Sequence, residues 1–356
     1  MGLFLILTAF IFSLFPTNRE IEIVFAGDAM QHQAQIDAAH KNDGTYNYDN
    51  CFTFIEDYIK QADYAVVNLE TPLGGKPYKG YPCFSAPDSY ATALANAGFD
   101  MFLTANNHTL DCRDKGVVRT LDVLDNQNIS HVGSYRNKDE RDSILPIIKN
   151  INGFNIAFLN YTYGTNGIKV QKDVVVDYID TTLIKQDIFN ARKSGAEIVT
   201  VAIHWGNEYQ LLPNRNQKNL ADFLVNQGVD LIIGGHPHVI QPMEIRYNEK
   251  LKKNVLVIYS LGNFISNMKT RDTRGGALVK VKIRRDNMGK AILDNANYRL
   301  VFTIPANGKD NFHLIPAKNC ENIYWKDRCK AFFNSAESIF KKHNINVTRD
   351  TTSITK

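Results

Sequence analysis

The chain has 356 residues, 44% of them apolar and 22% charged, which is ample for one large α/β domain with an appendage. Its net charge of +4 is too small for a nucleic-acid footprint, and no basic stripe interleaved with aromatics runs along it. No internal repeat of solenoid length is present.

Residues 3–15 are almost uninterrupted apolar sequence, broken by Pro16-Thr17-Asn18-Arg19. The run is too short to span a bilayer and suits the apolar region of a signal peptide. It departs from the usual signal, with no Lys or Arg before it and no A-x-A site after it. The expectation is export to the periplasm or cell envelope, with membrane tethering as the alternative.

Residues 21–26 (I-E-I-V-F-A) read as a strand that ends in Gly27-Asp28. Residues 49–62 have apolar positions at helical spacing and lead into a strand at 64–67, which ends in Asn68-Leu69-Glu70. A Gly- and Lys-containing loop (73–84) follows, then a helix that opens at Pro87-Asp88-Ser89 and stops at Gly98. Residues 100–105 form a third strand, ending in Asn106-Asn107-His108, and 115–127 a helix. The loop Y-T-Y-G-T-N-G (161–167) and the loop 73–84 can each rim a substrate cleft or simply be solvated. Helices are expected at 181–194 and 215–227.

Three more apolar strands complete the set. Residues 197–203 end in His204-Trp205-Gly206. Residues 229–233 end in Gly234-Gly235-His236-Pro237-His238. Residues 255–259 end in Ser260-Leu261-Gly262-Asn263. A hairpin is expected over 277–301, turning at 286–289. Beyond 305 the sequence becomes polar, with one helix over 329–342 and disorder in the last ten residues. The expected division is therefore a targeting segment (1–18), a main domain (19–304) and a C-terminal appendage (305–356).

Turns favour Ser, Gly, Pro and Asp, not His. Yet His108, His204, His236 and His238 all stand at strand ends, where open α/β sheets place their ligand sites. With Asp28, Glu70 and Asn107 they make a mixed nitrogen and oxygen donor set without thiolate, suited to Mn, Fe or Zn. That many donors exceed the needs of one tetrahedral ion. Two ions about 3.5–4 Å apart, bridged by one carboxylate, would use them all. Of five cysteines, Cys320 and Cys329 can pair in an oxidising compartment, and none has the C-x-x-C spacing of a zinc site.

The blocks F-A-G-D-A-M (25–30), N-L-E-T-P-L (68–73), A-N-N-H-T-L-D-C-R-D-K-G (105–116), H-W-G-N-E-Y (204–209), G-G-H-P-H-V-I-Q-P-M-E (234–244) and Y-S-L-G-N-F-I (259–265) occur in one order. In these the chain resembles the CapA family of capsule or poly-γ-glutamate synthesis proteins, within the calcineurin-like metallophosphatase superfamily. The resemblance implies an α/β fold, a layered α/β/β/α metallophosphatase-like sandwich. It also implies a bacterial protein with two divalent metal ions. Carried over by block, Asp28 and His238 would hold the first ion and Glu70 would bridge. Asn107, His204 and His236 would hold the second. His108 reads as a proton donor or oxyanion stabiliser, with Asp111 orienting its imidazole, and Glu208 as a partner of His204. The superfamily's usual D-x-H opening is absent, since Ala29-Met30-Gln31 follows Asp28 and His32 comes only at the fourth position. Whether His32 reaches a metal is left open.

Two functions fit these residues better than a mere metal-stabilised scaffold, since a fold with this many strands should not need two ions to hold it together. One is an envelope-associated hydrolase of a phosphoester or related bond. The other is a non-catalytic metal-binding accessory factor in capsule or poly-γ-glutamate assembly and export. Expected partners are a capsule or cell-wall polymer, or an anionic small molecule, together with membrane-embedded synthesis machinery.

Overall fold

The computed structural model describes residues 19–308 and 310–352; the apolar segment 3–15 lies outside them. The first part of the chain forms β1 (Glu20–Ala29), α1 (Gln33–Ala39), α2 (Glu56–Lys60), β2 (Tyr64–Leu69), α3 (Asp88–Asn96), β3 (Met101–Leu103), α4 (Arg113–Asn126) and β4 (Ser130–Val132). The middle forms β5 (Ser134–Tyr135), α5 (Lys138–Ile144), β6 (Ile147–Ile151), β7 (Phe154–Thr162), β8 (Val175–Val176), α6 (Thr181–Lys193), β9 (Ile198–His204), α7 (Arg215–Asn226) and β10 (Leu231–Gly235). Then come β11 (Met243–Asn248), β12 (Lys253–Ile258), β13 (Asn263–Ile265), β14 (Gly275–Arg285), β15 (Ala291–Ile304), β16 (His313–Pro316), α8 (Lys326–His343) and β17 (Thr348–Arg349).

Alternation along β1 layers the molecule. Ile21, Ile23 and Phe25 face one core, while Val24 and Ala26 face another, because successive side chains of a strand point to opposite faces. The first core lies between two sheets. One runs β16-β15-β14-β1-β2-β3-β4, with β13 on β1 and β17 on β15; the other runs β11-β12-β10-β9-β7-β6. Phe158 of β7, Ile233 of β10 and Ile258 of β12 meet the β1 residues there. Helices cover the outer faces. Tyr90 and Leu94 of α3 pack on Val24 and Val67, and Ile188 of α6 and Leu224 of α7 pack on Val199 and Val201. The arrangement is the expected α/β/β/α sandwich.

Strands β1, β2, β3 and β4 are mutually parallel, as are β7, β9, β10 and β12. Their carboxyl ends gather the loops that carry the candidate site. Caps set the helix starts: the Asp180 carboxylate accepts from Thr182 and Leu183 N–H at the head of α6, and Asn214 forms a capping box with Gln217 on α7.

Two local readings differ from expectation. The segment 49–62 is not one helix. A short 3-10 turn (Asp49–Cys51) precedes α2. Asn47 Oδ1 accepts the Asp49 N–H, and the Thr53 hydroxyl donates to Asn50 O, so polar side chains compete with the helical backbone pattern. No expected strand covers 147–162, yet β6 and β7 form an antiparallel hairpin around Asn152-Gly153. That dipeptide is a hairpin turn signal.

The residues beyond 305 join the same core. β16 pairs with β15, and α8 contributes Phe332, Ala336 and Phe340 to the inter-sheet layer. Cys320 and Cys329 form a disulfide. The Asn344 side chain accepts from Met243 N–H, and Ile345 N–H donates to Met243 O. Phe332→Ala should therefore cost about 3–5 kcal/mol of stability, read from the midpoint of urea unfolding; an unchanged midpoint would show that α8 is not part of the core. Among the described residues, no helix is long and apolar enough to cross a membrane.

Candidate metal centre

Asp28 lies near the end of β1, and Glu70 follows β2 directly; both are fully buried. Two buried carboxylates side by side need compensation. Asn68 supplies part of it, donating through Nδ2 to Asp28 Oδ1 at 2.8 Å and lying 3.4 Å from Glu70 Oε2. The His236 backbone N–H donates to Asp28 Oδ2 at 3.2 Å.

From the second sheet come the imidazoles. His204 ends β9, and His236 and His238 occupy the turn after β10. The His204 and His236 ring centroids are 4.8 Å apart, and those of His236 and His238 are 5.9 Å apart. His236 and His238 hold φ of 97° and 57°, left-handed values that cost a non-glycine residue roughly 1–3 kcal/mol each. The turn is pinned by Tyr209 N–H donating to Pro237 O at 2.9 Å. Gly235 is required here: a Cβ would lie 2.9 Å from Asp28 Oδ1.

Glu70 Oε1 sits at the centre. It is 3.7 Å from His204 Nε2 and 3.8 Å from His238 Nε2. His204 Nε2 is also 2.8 Å from Asn107 Oδ1. The Asn107 amide is held with its oxygen toward the imidazole because its Nδ2 donates to Asn166 Oδ1 at 3.1 Å. At the other side His238 Nδ1 faces Asn263 Oδ1 at 3.0 Å and Asp28 Oδ2 at 3.5 Å. Those acceptors favour the Nδ1–H tautomer and leave Nε2 with a free lone pair toward Glu70.

Burial would raise the Asp28 carboxyl, but the His238 hydrogen bond, the charges of His204 and His238, and Asn68 together hold it well below the usual carboxylate range. Glu70 goes the other way. Burial first, and then the charge of Asp28, push it well above its ordinary value. Burial and the neighbouring imidazoles keep His204 well below its ordinary value and His236 down at about 4. His238 is raised, because Asp28 outweighs its burial. In this arrangement Glu70 and Asp28 cannot both ionise easily without a cation between them.

Among the buried side-chain atoms without a hydrogen-bond partner in the protein, Glu70 Oε1 and His236 Nδ1 belong to this cluster. A buried carboxylate oxygen and an imidazole nitrogen left unpaired, each among further oxygen and nitrogen donors, fit divalent metal ligation. Among the described residues, two groups of three donors have their ligand atoms within 4.8 Å of one another: Asp28, Glu70 and His238, and Glu208, His236 and His238. Glu208 is exposed, while the imidazoles are buried. Beside the centre, His108 Nδ1 lies 2.8 Å from Asp111 Oδ2, and the same oxygen accepts the Phe84 N–H at 2.7 Å.

The structure thus brings together all six expected donors, Asp28, Glu70, Asn107, His204, His236 and His238, with His108 and Asp111 alongside. His32 is in neither donor group; its Nδ1 faces the Asn267 N–H at 3.3 Å. Sequence reasoning missed Asn68, Asn166 and Asn263, which orient the donors, and Tyr163, whose ring lies 4.5 Å from that of His236. Asn68 and Asn263 were accessible as amides at strand ends. Asn263→Ala should weaken metal affinity about 10–100-fold, measured by metal titration calorimetry, because His238 would lose the acceptor that sets its tautomer.

The sequence profile of the bacterial capsule synthesis protein family PGA_cap matches residues 22–268. The capsule biosynthesis protein CapA of Bacillus anthracis is 30% identical over 288 residues, covering 78% of this chain and 67% of that protein. The PGA biosynthesis protein CapA of Bacillus subtilis (strain 168) is 32% identical over 249 residues, covering 68% of this chain; the chain spans 63% of that relative's length. Among solved structures, Haemophilus influenzae NAD nucleotidase superposes with a TM-score of 0.50 at 13% identity, covering 94% of this chain and 65% of that one. A protein assigned as a 5′-nucleotidase from Staphylococcus aureus does so at 0.50 and 12%, covering 90% and 58%. These two likenesses concern the fold, which is metallophosphatase-like. Since the family profile spans the strand ends that carry every expected donor, the chain belongs to the PGA_cap family of bacterial capsule synthesis proteins, of the CapA type.

Proposed function

We propose that this protein is a metal-dependent hydrolase in capsule or poly-γ-glutamate synthesis, acting at the cell envelope on a phosphoester or related bond. The observation that carries this reading is Glu70 Oε1: buried, unpaired, and within 4 Å of two imidazoles from the opposite sheet. Asp28, Glu70 and His238 would hold one ion, and Asn107, His204 and His236 a second, with Glu70 shared between them. Mn, Fe or Zn suits these donors. When bound, such ions lower the pKa of a bound water and draw charge from a substrate oxygen.

The protein's own residues do the rest. Asn68 and Asn263 fix Asp28 and His238, and Asn166 fixes the Asn107 amide. Asp111, itself held by the Phe84 N–H, orients His108 through Nδ1. The remaining ring nitrogen, Nε2, is then the atom that passes a proton to the departing group.

An envelope location is supported by the apolar run at 3–15 and by the Cys320–Cys329 disulfide, which suits an oxidising compartment. The proposed substrate is an anionic capsule or cell-wall polymer, or a small anionic molecule, met alongside membrane-embedded synthesis machinery. The test is a screen of purified, metal-loaded protein on phosphate monoesters, phosphate diesters and γ-glutamyl amides. Metal-dependent turnover on one of these supports the reading. Bound metal without turnover on any of them favours the accessory factor.

A further inference from the structure

The proposed ions are short of donors. Asp28, Glu70 and His238 offer one of them three, and Asn107, His204 and His236 with the shared Glu70 offer the other four, whereas Zn prefers four and Mn or Fe more. Residue 30, two positions past Asp28, is Met30, buried and without a nitrogen or oxygen on its side chain. His32 belongs to neither donor group. Glu208 is different. It lies on the loop after β9, and its carboxylate falls within 4.8 Å of donor atoms of both His236 and His238. The loop that carries it is fastened to the histidine turn next door, by Tyr209 N–H on Pro237 O. Tyr209 holds φ of 66°, a strained value for an aromatic residue. His236 is 3% exposed, and its Nδ1 has no partner.

We propose that Glu208 is a further metal ligand, closing the solvent side of the centre with His236 and His238. This rests on the metal-centre reading above. Asp28 and Glu70 are fully buried, so their ligation is fixed by the sheet. Glu208 is exposed and sits on a loop, so it is the donor that can swing away. The ion that it holds is therefore the more weakly bound and more readily exchanged of the two.

The test is equilibrium dialysis of the full chain against Mn²⁺, with electron paramagnetic resonance counting bound ions, for the parent, Glu208→Gln and Glu208→Asp. The parent should bind two ions. Glu208→Gln should leave the tighter ion unchanged and weaken the other by at least about tenfold, the lower end of what an outer partner of a ligand contributes. Glu208→Asp keeps the charge and should recover part of that affinity, which a general folding defect would not allow. If the parent holds a single ion, the same comparison applies to it. Two ions in the parent and unchanged affinities in Glu208→Gln overturn the role of Glu208 and leave the metal centre standing. A parent that binds no ion overturns the metal-centre reading itself, and this inference with it.

Discussion

His236→Ala is expected to lose bound metal and, with it, hydrolysis down to the rate of free metal in buffer. His236 is 3% exposed, lies 4.8 Å from the His204 ring, and presents an unpaired buried nitrogen. Removing it takes a donor from the centre, and loss of the ion leaves Asp28 and Glu70 without a cation between them. Repulsion between two uncompensated buried carboxylates then works against both metal binding and local order. The effect should appear in metal analysis before any kinetic measurement. His204→Ala should behave in the same way from the neighbouring strand β9. Full metal content in both variants would mean that the imidazoles are not ligands.

His108→Ala is expected to keep its metal and lose roughly 10²–10⁴-fold in turnover, the usual contribution of a positioned proton donor. The distinction from His236 is geometric. His108 Nδ1 is engaged by Asp111 at 2.8 Å, and its ring packs against Phe84 with centroids 4.5 Å apart. It is one residue from Asn107, but its Nδ1 is taken up by the Asp111 carboxylate, not by another member of the metal centre. Asp111→Asn should follow His108→Ala in direction, with a smaller loss, since the ring remains but its orientation is weaker. The readouts are metal stoichiometry and the single-turnover rate. If His108→Ala sheds metal as fully as His236→Ala, His108 is a ligand and not the proton donor.

The sequence carried much of this. Six apolar runs at 21–26, 64–67, 100–105, 197–203, 229–233 and 255–259 correspond to strands, and the polar residues at their ends converge. That succeeded because a parallel strand buried on both faces reads as an apolar run, and its carboxyl end is where a ligand site forms. The β6–β7 hairpin was overlooked because F-N-I-A-F-L-N-Y-T mixes buried Asn with apolar residues. Asn160, 2% exposed, bonds across sheets to the Ala105 backbone, a pairing that no local pattern announces. Asn68 and Asn263 were legible as strand-end amides, but their orienting roles, like that of Asn166, were not, since each acts on a residue distant in sequence. Glu208 was legible only as a neighbour of His204; its approach to His236 and His238 depends on how two loops pack.

The most direct measurement is a metal titration followed by rate. Protein stripped with a chelator is reloaded with Mn²⁺, Fe²⁺ or Zn²⁺ in steps, and hydrolysis of p-nitrophenyl phosphate and bis(p-nitrophenyl) phosphate is recorded at each occupancy. The account predicts no turnover in the stripped protein and a rate that climbs as the second ion binds. Two ions bound with a rate that stays flat at background on both esters, and on γ-glutamyl amides as well, would contradict it, and would leave a metal-binding capsule factor that does no hydrolysis.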